Sequence, residues 1–288
     1  LYALDLTQAA STWVECGAAM AGRPASPPAI TSDGLVVAAT TAKAAQAWDA
    51  EAEEVRWQMN IGSAVHGLSA SNAPLILCGT FQGLVALRSS GVESWRFDGV
   101  SDVQACAVRP DGLIVAVSRS GKAALLDQGG VSRCPVADAA GLGEVRSPPV
   151  IAADGKSLVL DSLGKIAELN AQGRYELTAR AAPGRVCLPL ADGTVAAGNV
   201  IRFPNGVRVT LPTEGPVLAL AADGSGWVYA ATGNRVFRMA RAADGRVVLS
   251  SDAPPLGTVE QGEAVRGGLA VVPGKLLVTT TAGVQVFE

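Results

Sequence analysis

Along the whole chain, apolar runs of about four to six residues alternate with short polar turns. Seven pairs of runs are separated by a tight turn. Six of these turns are Asp33-Gly34, Asp111-Gly112, Asp154-Gly155, Asp192-Gly193, Asp223-Gly224 and Pro273-Gly274, and the remaining copy has Asn72-Ala73-Pro74. Asp-Gly between apolar runs predicts a hairpin, because both residues tolerate the positive φ of tight turns. The predicted first strands are 28–31, 65–70, 105–108, 149–152, 186–190, 217–221 and 268–271. Their hairpin partners are 35–39, 75–78, 113–117, 157–160, 194–197, 227–231 and 276–280. Ala, Val, Leu and Ile fill these runs with little polar alternation, which predicts strands buried on both faces. Two copies share an entry, Ser26-Pro27-Pro28-Ala29-Ile30 and Ser147-Pro148-Pro149-Val150-Ile151. Proline suits the first residues of a strand, where no ladder donor is needed.

Third strands follow at 44–48, 84–87, 123–126, 166–169, 200–203, 235–239 and 284–287. More polar outer strands are predicted at 12–15, 55–59, 94–97, 175–179, 207–211 and 246–250. A phrase repeats across this layout. Leu-Tyr-Ala-Leu-Asp at 1–5 leads to Trp13, Ala47-Trp48-Asp49 to Trp57, and 84–88 to Trp95. One unit copied at about 40 residues is the period of four-stranded propeller blades. The fold expected is therefore an all-β propeller of four-stranded antiparallel blades. Seven blades are favoured over eight, with the ring closed by the N-terminal outer strand around 12–15, because the last copy lacks an outer strand. Leu1–Leu6 is surplus in a seven-bladed ring, and an eighth blade would explain it. One domain over 1–288 is expected, within a longer or processed chain that begins in mid-repeat.

The phrase resembles the tryptophan-docking repeat of quinoprotein-like propellers, on Ala3, Asp5 and Trp13 and again on Ala47, Asp49 and Trp57. The third copy keeps Ala86, Gly91 and Trp95 but has Arg88 in place of the Asp. Cys134, Leu177, Leu211 and Leu249 stand where later copies would have the tryptophan. The resemblance implies that each Trp packs between blades and that the Asp pins a turn. It also implies three branches: quinone- and calcium-dependent dehydrogenases, binding propellers such as the lipoprotein scaffold of outer-membrane assembly, and sensor or partner-docking propellers.

The chemistry expected of the first branch is missing from the sequence. It has no vicinal cysteine pair and no Asp-rich calcium loop. Neither G-x-G-x-x-G nor a phosphate-binding P-loop occurs, and His66 is the sole histidine. No catalytic residue, metal or cofactor is assigned, and the chain is read as a non-enzyme. Asp49, Asp127 and Asp161 lie at or within strands with nothing to single out a pair. The run Glu51, Glu53 and Glu54 reads as a solvated outer turn. A net charge of −3 offers no attraction to nucleic acid, and no apolar stretch is long enough to span a membrane as a helix.

One constellation is a candidate binding site. First strands open with Arg146, Arg185 and Arg266 in three copies, and His66 and Gln104 hold similar places in two others. Together they would ring a channel mouth and could hold a carboxylate or phosphate. The competing reading pairs the arginines locally with Glu144, Glu214 and Glu263. Five cysteines without regular spacing do not form a disulfide framework, which favours the cytoplasm over a periplasmic or cell-surface location. The expectation is a binding or scaffold propeller that docks a protein partner on one face, as a subunit of a larger complex. An exported assembly scaffold or small-ligand sensor is the alternative, and a cofactor-dependent enzyme comes third.

Overall fold

The computed structural model describes residues 2–5, 12–15, 20–24, 26–49, 51–70, 75–138, 141–145, 148–151, 156–162, 165–170, 172–180, 187–189, 194–197, 200–203, 208–211, 217–223, 227–233, 235–241, 247–249, 257–258, 264–272, 275–282 and 284–287. Among them every regular element is a strand, and every strand pair given a register is antiparallel. The chain divides into two compact units, Leu1–Ile151 with Leu169–Glu176, and Ala152–Glu168 with Leu177–Glu288.

In the first unit, β1 (Tyr2–Asp5) pairs with β2 (Thr12–Glu15). Three four-stranded meanders follow. The first contains β3 (Ala29–Ile30), β4 (Leu35–Ala39), β5 (Ala44–Asp49) and β6 (Glu54–Asn60). The second contains β7 (Val65–Ala70), β8 (Leu75–Thr80), β9 (Gly83–Arg88) and β10 (Glu93–Phe97). The third contains β11 (Val103–Val108), β12 (Ile114–Ser118), β13 (Lys122–Leu126) and β14 (Ala137–Asp138). One further sheet, with β15 (Val150–Ile151) in the first unit and β16 (Ser157–Leu160) in the second, also holds β17 (Lys165–Leu169) and β18 (Tyr175–Arg180).

In the second unit, β19 (Cys187–Pro189), β20 (Val195–Ala197), β21 (Val200–Arg202) and β22 (Arg208–Thr210) form one meander. The next is β23 (Val217–Ala222), β24 (Trp227–Thr232), β25 (Arg235–Arg241) and β26 (Val247–Leu249), with β27 (Gly257–Thr258) also paired to β25. The last sheet is β28 (Val265–Val272), β29 (Lys275–Thr280) and β30 (Val284–Phe287). In each of the seven predicted hairpins the two strands are paired, while turn residues 72–74, 154–155, 192–193, 224 and 273–274 lie outside the described residues; β1–β2 stands as an eighth, two-stranded sheet among the described residues.

Strand alternation explains the packing. On β8, Ile76 and Cys78 face one way and pack with Val37, Ala39, Ala45 and Ala47 of the preceding sheet. Leu75 and Leu77 face the other way and pack with Ile114, Ala116 and Ala124 of the following one. A strand sandwiched between two sheets must be apolar at every position, and β8 and β12 are buried from end to end. First strands differ from that expectation. β7 and β23 alternate buried with half-buried positions along most of their length.

Candidate functional site

The tryptophans dock as the resemblance implies. Trp57 Nε1 donates to the Ser89 carbonyl at 2.6 Å, and Trp95 Nε1 donates to the Gln128 carbonyl at 2.7 Å. Each ring lies on a glycine of the next sheet's outer turn. A Cβ on Gly91 would come within 2.7 Å of the Trp57 ring, and one on Gly130 within 2.6 Å of the Trp95 ring. Both glycines have φ near +80°, a conformation that also excludes ordinary side chains. Cys134, at a predicted tryptophan position, takes the same seat against Gly173.

The aspartate also pins its turn. Asp49 Oδ1 accepts from the backbone N–H of Glu51 and Ala52, and its other oxygen meets Arg56 at 2.7 Å. The Ala52 N–H, and then Arg56, hold its carboxyl below the usual value. Asp127 and Asn170 repeat this turn in later sheets, each accepting two backbone N–H groups. These carboxylates and the Asn170 amide are structural pins. Asp5 and Trp13 lie in β1 and β2, where the backbone alone is described.

The candidate binding residues arise from a recurring break in register. Buried valines open β7, β11, β23 and β28, and pairing slips directly after each: between Val65 and Gly67, Val103 and Ala105, Val217 and Ala219, and Val265 and Leu269. Such a bulge re-aims the side chain at the slipped position. His66 and Gln104 occupy that position in β7 and β11, and Arg266 falls within the slip in β28. Arg146 and Arg185 lie outside the described residues.

In the first unit, His66 and Gln104 come together around a residue that sequence reasoning missed. Asp102 precedes β11 with φ +50°, a left-handed backbone that Asp tolerates better than most residues. Its Oδ1 accepts from Gln104 Nε2 at 2.8 Å and lies 3.7 Å from His66 Nε2. Its Oδ2 meets Arg119 Nε at 3.2 Å, and Arg119 reaches on to Glu144 at 3.8 Å. Backbone bonds hold this constellation in place. Asp102 N–H donates to the Phe81 carbonyl, Arg119 N–H to the Asp102 carbonyl, and Val145 N–H to the Arg119 carbonyl. Asp102, Arg119 and Glu144 line a shallow recess of about 450 Å³. Phe81, whose carbonyl accepts from the Asp102 N–H, has a side chain 63% exposed. The signal in the sequence was weak, since Asp102 and Arg119 sit in two different turns that only backbone bonds between the turns bring together.

Cys78, Cys106 and Cys134 are described with their side chains, all as free thiols. Cys78 and Cys106 are buried, and burial pushes the Cys106 thiol up to about 12 and Cys78 higher still. Shielded, protonated thiols are inert in any compartment, so these two say nothing about location.

The blades define the class, a β-propeller of four-stranded antiparallel sheets. No family model matches the chain, and no curated protein matches it in sequence. Among solved structures, the crystal structure of BamB from Moraxella catarrhalis matches 92% of this chain and 82% of its own, with a TM-score of 0.65 at 15% identity. That likeness shows the fold, and it agrees with the quinoprotein-like repeat carried by Ala47, Asp49 and Trp57.

Proposed function

We propose that the chain is a non-enzymatic binding or scaffold propeller that docks a protein partner, as a subunit of a larger complex. The observation that carries this reading is the likeness to BamB over nearly the whole chain. It sits with the scaffold branch of the resemblance, the exported lipoprotein of outer-membrane assembly, so a periplasmic location is favoured over the cytoplasmic one.

The chemistry of the Asp102 constellation supports the same reading. Its carboxylate is engaged by Gln104 and Arg119 and faces His66. Phe81, an exposed aromatic bonded through its carbonyl to Asp102, suits recognition, since aromatic residues are enriched where partners dock.

The test is capture from fractionated source cells. The full chain should recover one stoichiometric partner from the envelope fraction, and Phe81→Asp should reduce that recovery at least tenfold with unchanged melting. A cofactor spectrum or substrate turnover by the purified chain would overturn the reading.

A further inference from the structure

The two Ser-Pro-Pro entries lie 121 residues apart in sequence, and the structure brings them to one place. Two first strands without the motif, β7 and β11, have six residues each. Those that carry it, β3 and β15, have two residues each. Proline has no N–H for the ladder, so it cuts these strands short. Where they stop, a cleft of about 430 Å³ opens. Pro27, Pro28 and Ile30 line it on one side and Pro148 on the other, while β7 and β11 contribute His66 through Ala70 and Gln104 through Cys106.

Three properties of the cleft specify an occupant. Its described lining carries no Asp, Glu, Lys or Arg, so it suits a neutral group. Ile30 is 71% exposed, so an apolar wall stands open to solvent. β7 and β11 are each the end strand of their sheet, so half of their main-chain groups point away from any strand neighbour. An extended peptide can bond to such an edge while its side chains enter flanking apolar pockets. One polar atom is also unsatisfied. His66 Nε2 is buried with no hydrogen-bond partner, and Asp102 Oδ1 at 3.7 Å is beyond hydrogen-bond reach.

We infer that this cleft binds an extended, uncharged, apolar segment of the protein partner, between the two proline-broken strands and over β7 and β11. The inference rests on the binding-propeller reading, and its volume lies in the ~300–1,000 Å³ range of ligand clefts. His66 and Gln104 belong both to this cleft and to the Asp102 constellation. A segment held here would therefore continue onto the recess lined by Asp102 and Arg119.

The probe is a displayed library of random nonapeptides, selected on the full chain and resynthesised with capped ends. Enriched sequences should be apolar and uncharged over three to four positions. Their affinity should fall at least tenfold on Ile30→Glu, an exposed position that leaves melting unchanged, and about threefold or more on His66→Ala. Phe81→Asp should leave these short peptides unaffected. Equal binding to wild type and both cleft variants would overturn the inference, as would enrichment of charged sequences or no enrichment at all. The envelope capture separates this from failure of the broader reading. A partner captured equally by wild type and Ile30→Glu sinks the cleft alone, whereas no partner for either protein sinks both.

Discussion

The two units solve one problem in two ways. In the first, outer strands are fastened by Trp57 and Trp95, each with an indole N–H on a carbonyl and a ring on a left-handed glycine. In the second, Leu211 stands at the corresponding place and is 1% exposed, packed in one cluster with Phe203, Val228, Phe237 and Met239. The indole dock is directional and needs a matching glycine about 34 residues on. The leucine needs only apolar neighbours. A directional device leaves a residue signature in the sequence, and a non-directional one does not. That is why the repeat phrase fades after Trp95 although the sheets continue.

The contrast can be broken most sharply at the glycines. Gly130→Ala combines an unfavourable φ, about 1–3 kcal/mol, with a clash against Trp95 of about 1–3 kcal/mol. We expect a loss of about 4 kcal/mol in denaturant unfolding. A loss under ~1 kcal/mol would mean that the dock yields freely. Leu211→Ala should cost about 3 kcal/mol through lost burial and a cavity, whereas Leu211→Met should cost under ~1.5 kcal/mol because a non-directional seat accepts similar volume. Trp57→Phe keeps the ring and removes the bond to Ser89, so about 1 kcal/mol is expected. If Trp57→Phe proved as severe as Leu211→Ala, the two seats would not differ as described.

Smaller effects test the turn pin and the thiols. Asp49 has a folded value below its ordinary 3.8, so its contribution is present above that value and is lost as pH falls through the lower, folded one. Asp49→Asn should flatten this part of the acid limb of an unfolding-versus-pH curve and leave neutral pH less stable. An unchanged acid limb would dismiss the pin. In native protein, a thiol reagent should modify Cys134 well before Cys78 or Cys106, which should react only on unfolding.

Of the expected channel-mouth residues Arg146, Arg185, Arg266, His66 and Gln104, the structure brings His66 and Gln104 together. The buried valine before each of these two marks the bulge that re-aims it, and that valine is visible in sequence. Asp102 and Arg119 were not legible, because their meeting depends on backbone bonds from Asp102 to Phe81 and from Arg119 to Asp102, across three turns. The cysteine count pointed to the cytoplasm, but it could not show that Cys78 and Cys106 are sealed in the core, where compartment redox chemistry does not reach them.

By itself the sequence determined the hairpins, the strand order and the two tryptophan docks. Those depend on local turn chemistry and on period-two burial, both written in neighbouring residues. Tertiary structure alone decided that two Ser-Pro-Pro entries face one cleft, and that an aspartate from one turn meets an arginine from another. Such meetings depend on how sheets stack, and no spacing along the chain encodes that distance.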